Sequence, residues 1–377
     1  MSTIAANLRQ NPWRLLLAIN AAVIVGVFVH KIQLPPYVPY IHLLVDYHFG
    51  FIKRALIGAI VALFTDRVPV WLVFALGGAT WLVTAGLYAR LFQKTFGFTA
   101  KTLPLFVFVA GSPFFLKNFM HTLGHFDIYG CALAIVLLLM PAGSLLFVAT
   151  AALFATVLVL IHHIHLLMYV PVIITIVVIR HYLTRGRNRT NVAFGAVAFA
   201  TVSALFFAAQ FWGTMPIPEA DFVAYLKTRM ADPSRTDLLQ FAYIWYQPLA
   251  KEISDTWGRL PHNILGVPVF ALLIWLHTPL WRYFASLIGA LASETHRRLV
   301  VAALIGISLA YLVMFAMVFD YSRWISNWAV CMFLTLHAVK MLPAARETPP
   351  ILAEDQKTNI FGMILTLIPR VGIVRPF

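Results

Sequence analysis

Charged residues are scarce in this sequence, and acidic residues most of all. Of its 377 residues, 11% are charged and 61% are hydrophobic, with 28 Lys and Arg against 14 Asp and Glu. Soluble domains carry about 25% charged residues. A globular core cannot hide this much apolar surface, so lipid must be the solvent for most of the chain. The long apolar runs do not alternate with polar residues, which predicts helices and argues against a β-barrel.

Cysteine and the common sequence signatures of enzymes are also missing. The two cysteines, Cys131 and Cys331, lie in apolar runs, which argues against a disulfide framework or a metal knuckle. The sequence has no P-loop, no dinucleotide-binding glycine motif, no HExxH and no GxSxG. Few acidic residues lie within apolar runs, which argues against an ion-coupled carrier. Lys and Arg lie in short clusters between these runs, so no nucleic-acid partner is expected.

The hydropathy pattern predicts an all-α, polytopic membrane bundle of about ten spans, forming one transmembrane domain over residues 1–342. Residues 55–64 are about half as long as a crossing and are expected to be re-entrant or interfacial. The eighth span is expected to kink or break around Pro279. The predicted spans are 13–29, 70–91, 103–115, 128–140, 145–161, 166–179, 192–211, 264–291, 300–318 and 325–341.

Basic clusters set the predicted orientation, because cytoplasmic loops are rich in Lys and Arg. Both termini are then cytoplasmic, provided that residues 55–64 do not cross. The tail, 343–377, is expected to be cytoplasmic, with an interfacial amphipathic helix over 360–368. A polar loop over 213–262 lies on the outer side. The other predicted outer regions are 34–67, 112–127, the histidines near 162, and 320–323.

Asp46 is a functional candidate because a charge beside a span is costly. It follows the first span in the run VDYHFGFIKR. It could act as a general base, or it could hold a divalent cation, Mg²⁺ or Mn²⁺, that bridges to a phosphate. Lys53 and Arg54 would then bind that phosphate. The alternative is a topological charge at a helix start, where an acid complements the helix dipole.

Histidines form a second group of candidates on the predicted outer side. His162, His163 and His165 lie in LIHHIHLL at the end of a span, and His125 precedes Asp127. Imidazole suits zinc or iron. However, His163 does not share the helix face of His162 and His165, and the segment has no acidic residue. Hydrogen bonding to a sugar or phosphate is therefore favoured over metal ligation, and a satisfied interfacial histidine stays an equal alternative. No metal site is assigned.

Asp320 and Arg323 open the last predicted span in the run DYSRW. At a spacing of i, i+3 they can pair on one helix turn. The alternative is that Arg323 binds a phosphate or pyrophosphate and that Asp320 orients it. Both interpretations stay open on the sequence alone.

Residues 10–140 resemble the N-terminal module of GT-C-class integral membrane glycosyltransferases. Asp46 matches the acidic position of the first outer loop in that class. The stretch ARLFQKTFGFTAKTLPLFVFVAGSPFFLKNFMHTLGHFDIYG looks like its next part, with a basic turn at Arg90, a short span ended by Pro113, and Asp127 opening the following span. Departures are Tyr47, where many members have a second acid, and the lack of a large soluble C-terminal domain, which leaves metal dependence and the acceptor open.

The resemblance implies transfer of a sugar from a polyprenyl-phosphate carrier to a glycan or lipid acceptor, at the periplasmic face of a bacterial inner membrane. Alternatives are an enzyme like O-antigen polymerases or ligases, which rely more on Arg and His, and a lipid or solute flippase or transporter. The resemblance implies that Asp46 and Asp127 are catalytic. For this reaction we expect Lys53, Arg54 and Arg323 to bind the carrier phosphate, and His125, His162, His165 and Asp320 to contact substrate.

Overall fold

The computed structural model describes residues 12–185, 189–349, 352 and 355–371. Within these residues the chain forms helices and no strand. Five helices are long and apolar enough to cross a membrane, which confirms the predicted helical membrane protein. The count of ten spans stays a prediction. The five are Pro12–Ile32, Trp71–Thr95, Arg189–Trp212, Leu249–Leu276 and Glu294–Met317.

The main helices are numbered here in chain order. A π-helical turn, Val178–Tyr182, extends α10, and a 3₁₀ turn, Ile264–Gly266, joins α13 to α14. The helices are α1 (Pro12–Ile32), α2 (Tyr37–Leu44), α3 (Leu56–Ala62), α4 (Trp71–Thr95), α5 (Leu103–Ala110), α6 (Leu116–His121), α7 (Asp127–Leu139), α8 (Leu145–Ile161), α9 (His165–Met168), α10 (Val170–Val177), α11 (Arg189–Trp212), α12 (Glu219–Arg229), α13 (Leu249–Asn263), α14 (Val267–Leu276), α15 (Thr278–Gly289), α16 (Glu294–Met317), α17 (Tyr321–Lys340), α18 (Pro343–Arg346) and α19 (Gln356–Leu367).

Helix α17 is the central helix of the bundle. It packs against α4, α7, α10, α15 and α16, and nearly all of its side chains beyond Ile325 are buried. A helix that other helices shield from lipid can carry polar side chains. Accordingly Asn327, Thr335 and His337 are buried on α17.

The predicted span at 103–115 is not one helix. Helix α5 ends at Ala110 and α6 begins at Leu116, with Gly111 and Pro113 in the turn between them. Eight residues of helix rise about 12 Å, less than half of the hydrocarbon thickness. Proline and glycine interrupt the helix at this point. Both halves are largely buried, so protein rather than lipid surrounds the irregular backbone.

Two other predicted irregularities are present. Helix α3 has seven residues and is too short to cross, as expected for 55–64. The eighth predicted span is broken between Leu276 and Thr278, next to Pro279. Helix begins earlier in this region than predicted, because α13 and α14 together form one long candidate membrane span, Leu249–Leu276.

Segments 34–70 and 213–248, both predicted to lie on the outer side, pack together into a structure that we call the cap. They share a hydrophobic core that includes Tyr40, Val68, Leu226 and Trp245. The Val68 N–H donates to the carbonyl of Arg229 at 2.8 Å, and the Tyr40 hydroxyl donates to the carbonyl of Val68 at 2.6 Å. The predicted polar loop is therefore an ordered element that contains α12 and most of α13.

Basic residues from separate predicted cytoplasmic clusters meet at one end of the bundle. The Lys94 ammonium donates to the carbonyl of Leu139 at 2.9 Å, and Arg180 Nη1 donates to that of Leu138 at 2.5 Å. Both carbonyls belong to the last turn of α7, where a cation is favourable. This grouping agrees with the predicted sidedness of the clusters, whose location in the cytoplasm stays a prediction.

The C-terminal segment makes contacts that its predicted position did not include. Helix α19 packs against α1, α5 and α14, with Leu365 fully buried, and its interfacial location stays a prediction. Arg370 then lines a cavity with Asp320 and Arg323, which the prediction assigned to the opposite side of the membrane. The apolar face of α19 thus packs into a groove formed by α1, α5 and α14. The first eleven and last six residues lie outside the described residues.

Lys117 holds α19 in this groove. Its ammonium is fully buried and donates to the carbonyl oxygens of Leu365 and Thr366, each at 2.8 Å. These carbonyls belong to the last turn of α19, which carries partial negative charge. The buried cation is therefore matched by the end of a helix.

Lys117→Met should loosen the C-terminal segment. The change leaves two buried carbonyls without a donor, at a cost of about 1–3 kcal/mol each, and removal of the buried charge offsets part of this. We expect a lower unfolding temperature and faster proteolytic removal of α19. Lys357→Met is the matched control, because Lys357 is exposed on the same helix. Equal cleavage rates for the two variants would contradict the assignment.

Candidate functional site

A tight turn brings the start of α7 against α17. Gly124 has φ of +85°, a left-handed conformation that favours glycine. A Cβ at this position would lie 2.7 Å from Val73 and 3.0 Å from Pro39. The backbone can therefore pass closely between α4 and the cap, and it delivers His125 and Asp127 to the site.

Asp127 and Arg323 form a buried ion pair with two contacts. The Asp127 side chain is 1% exposed, Arg323 Nη2 donates to Oδ1 at 2.6 Å, and Nε donates to Oδ2. Asn327 also donates to Oδ2, at 3.2 Å, and the Tyr169 hydroxyl donates to Asn327 Oδ1 at 2.7 Å. Because both carboxylate oxygens are occupied by donors, these contacts favour a structural role for Asp127 over the predicted catalytic one.

A cavity of about 210 Å³ lies beside this pair, partly under Tyr37 and Phe241 of the cap. Asp320 Oδ2 is 3.6 Å from Arg323 Nη1, and burial raises the pKa of Asp320. Burial and nearby cations hold the pKa of His125 well below its usual range, so its imidazole is neutral. Among the described residues that line the cavity, one is acidic, Asp320. The basic ones are Lys31, His121, His125, Arg323 and Arg370.

A group that we call the histidine cluster lies near Arg54 and Arg323. The ring centroids of His162 and His163 are 5.2 Å apart, and those of His162 and His42 are 6.4 Å apart. Its members, all at most 5% exposed, are His42, His162, His163 and His165. In the described ranges, no group of three or more His, Cys, Asp or Glu side chains is arranged to hold a metal ion.

The members of the histidine cluster are neutral. Burial and the nearby charge of Arg54 lower the pKa of His42, His162 and His163 well below the usual value. Neither ring nitrogen of His42 or of His165 has a hydrogen-bond partner among the described residues. A neutral imidazole has one donor and one acceptor, so these rings can bind the hydroxyl groups of a ligand.

Asp46 makes its contacts within the cap. It pairs with Arg229 Nη1, the Tyr225 hydroxyl lies 2.8 Å from Oδ2, and the His48 N–H donates to Oδ1 at 2.9 Å. These contacts join the first outer segment to α12. They favour a structural role, and the catalytic role that the resemblance implies for Asp46 stays a prediction.

Lys53 also belongs to the cap, whereas the Arg54 guanidinium is unpaired. Lys53 Nζ donates to the carbonyl of Gln247 at 3.0 Å, Trp245 Nε1 donates to the carbonyl of Lys53 at 3.1 Å, and burial lowers the pKa of Lys53 to about 8. Arg54 has φ of +65°, which is rare for a residue other than glycine. Its guanidinium makes no hydrogen bond or ion pair with the described residues. Arg54 is therefore the better candidate of the two for binding an anion.

The structure thus separates the predicted site residues into three groups. Asp46 and Lys53 make their contacts in the cap. Arg54 lies near His162 of the histidine cluster, which also contains His165. The cavity is lined by Asp320, Arg323 and His125, and Asp127 pairs with Arg323. Residues that the sequence analysis missed are Lys31, His42, His121 and Arg370. The sequence did carry a signal for Lys31, because a cation at the predicted outer end of the first span departs from the positive-inside rule. The sequence carried no such signal for Arg370, because its position depends on the insertion of α19.

Comparison with known proteins provides no further constraint. No family model, no curated protein and no solved structure matches this chain. The proposed function therefore rests on the residues and geometry described above.

Removal of the buried carboxylate should destabilise the whole bundle. Asp127→Ala leaves the Arg323 guanidinium buried without its partner, which typically costs about 3–5 kcal/mol. We expect a large drop in unfolding temperature, partly reversed in the double variant Asp127→Ala/Arg323→Met. Asp237→Ala is the control, because its pair with Arg235 is about half exposed and should contribute little. Similar unfolding temperatures for the two single variants would contradict a structural role for Asp127.

Proposed function

We propose that this chain is a membrane glycosyltransferase that moves a sugar from a polyprenyl-phosphate carrier to an acceptor hydroxyl. The supporting observation is the cavity in which Arg323 and other basic side chains face a single described acid, Asp320. A departing phosphate needs cations, and an attacking hydroxyl needs a base. The cavity contains both kinds of group, and in this proposal the carrier enters it from the surrounding lipid.

The transfer would be a displacement at the anomeric carbon. The acceptor oxygen forms a bond to that carbon while Asp320 takes the hydroxyl proton. The bond from the anomeric carbon to the carrier phosphate oxygen breaks, and its electron pair leaves with the phosphate. Arg323 lies beside this position and stabilises the developing negative charge. Asp320 then releases its proton to water.

The histidine cluster and Arg54 would bind the sugar or the acceptor. Neutral imidazoles can donate to and accept from sugar hydroxyls, and Arg54 adds a cation without a described partner. A divalent cation, Mg²⁺ or Mn²⁺, would need carboxylate ligands. Asp46 and Asp127 are each paired with an arginine, so the proposal assigns charge neutralisation to Arg323 and Arg54. A GT-C-like architecture of about ten spans, a bacterial inner membrane and a periplasmic active face are parts of this proposal.

A second candidate is an enzyme like O-antigen polymerases and ligases, which the arginine and histidine content of the cavity also suits. Such an enzyme would depend on Arg323 and tolerate the loss of a carboxylate. A flippase or transporter would move the lipid-linked sugar without forming a glycosidic bond.

Asp320→Asn should reduce sugar transfer by about 10²-fold or more, the usual effect of losing a general base. The assay uses the full chain in detergent, a labelled polyprenyl-phosphate sugar and separated products. Asp46→Asn is the matched control and should retain transfer if the cap remains folded. Full activity of Asp320→Asn would reject Asp320 as the base, and loss in Asp46→Asn alone would restore the assignment based on the GT-C resemblance. Movement of lipid without product would indicate a transporter.

The transfer rate should also depend on the ionisation of Asp320. A base must be deprotonated, and burial raises the pKa of this carboxyl. The rate should therefore rise with pH through a value above the ordinary carboxyl pKa of about 4. The measurement is a pH–rate profile, and the residual activity of Asp320→Asn should lack this acidic limb. If the unchanged protein and Asp320→Asn show the same acidic limb, the group that titrates is not Asp320.

A further inference from the structure

Two cations of the cavity come from opposite ends of the chain. Lys31 lies in the last turn of α1, and Arg370 follows α19. Neither side chain makes a hydrogen bond or ion pair with the described part of the protein. Both line the cavity together with His121. Burial, with Lys31, Arg370 and His30 nearby, lowers the pKa of that imidazole to about 4.

These cations leave the cavity with uncompensated positive charge. Arg323 is matched by Asp127, and it also has Asp320 at 3.6 Å. Lys31 and Arg370 have no such carboxylate among the residues that the structure describes. Like charges in a partly buried space repel each other more strongly than in water. An anionic ligand between them would remove this repulsion.

We propose that Lys31 and Arg370 form a phosphate-binding subsite, which the C-terminal segment completes. The inference rests on the proposed function in taking this phosphate to be that of the lipid carrier. A guanidinium binds phosphate through two parallel hydrogen bonds, and an ammonium adds a point charge. Arg370 and Lys31 are thus binding residues for the donor substrate.

Lys117 is a positioning residue for this subsite. Its ammonium donates to the carbonyls of Leu365 and Thr366, which lie five and four residues before Arg370. The contact sets the depth at which α19 ends inside the bundle. The site of chemistry is therefore coupled to the docking of the C-terminal helix, without any contact between Lys117 and the ligand.

The test is phosphate binding to the full chain in detergent. Two probes, inorganic phosphate and a polyprenyl phosphate, are titrated by calorimetry. Arg370→Ala should weaken binding of the polyprenyl phosphate about tenfold or more, as loss of a charge-assisted hydrogen bond does. The affinity of Arg370→Lys for polyprenyl phosphate should lie between that of Arg370→Ala and that of the unchanged protein. Lys357→Ala, on the same segment but outside the lining of this cavity, is the control and should bind like the unchanged protein.

The two probes distinguish the sources of the phosphate. If only the affinity for polyprenyl phosphate depends on Arg370, the subsite binds a lipid headgroup and needs the chain of the carrier. If the affinity for both probes depends on Arg370, the subsite binds the phosphate group itself. Equal affinity of Arg370→Ala and the unchanged protein for both probes would overturn the subsite. Size-exclusion profiles and a second variant, Arg370→Gln, show whether a loss reflects misfolding.

A double-mutant cycle tests the role of Lys117. Lys117→Met should weaken phosphate binding through Arg370, so adding Arg370→Ala should cause little further loss. Independent, additive losses would contradict positioning. The subsite and the proposed function can fail separately: binding that depends on Arg370 without sugar transfer rejects only the function. Transfer with an unchanged KM in Arg370→Ala rejects only the subsite.

Discussion

The buried pair of Asp127 and Arg323 is the interaction on which the site depends. It joins the start of α7 to the central helix α17 and gives a buried guanidinium its counter-charge. The guanidinium also lies 4.5 Å from the ring of Trp324, which favours the same side-chain position. Arg323 is therefore fixed at the cavity wall with Asp320 beside it. Without the pair, a charge would be left in the protein interior, at a typical cost of about 3–5 kcal/mol.

The second constraint is the interrupted helix of residues 103–121. At this break the end of α19 packs against α5 and receives the Lys117 ammonium, and a Cβ at Gly111 would lie 3.3 Å from the Thr366 hydroxyl. Irregular backbone at membrane depth is tolerated because protein surrounds it. The break thus allows the C-terminal segment into the bundle. The segment in turn brings Arg370 to the cavity.

The sequence was sufficient for features that depend on local composition. The helical spans corresponding to α8, α11 and α16 follow from apolar runs, and the break next to Pro279 follows from proline. The proximity of Asp320 to Arg323 follows from their i, i+3 spacing. The pairing of Arg323 with Asp127, the cap that binds Asp46, and the insertion of α19 could not be predicted. Each depends on which helices are neighbours, and hydropathy carries no information about that.

The central claim is that the cavity binds the phosphate of a lipid carrier next to Arg323 and Asp320. It is tested most directly by a cryo-EM structure of the chain in lipid nanodiscs with a non-transferable polyprenyl-phosphate sugar analogue. The account predicts density for the phosphate within about 3 Å of the Arg323 guanidinium, with the anomeric carbon towards Asp320. A carrier phosphate bound elsewhere, with the cavity filled only by water, would contradict it.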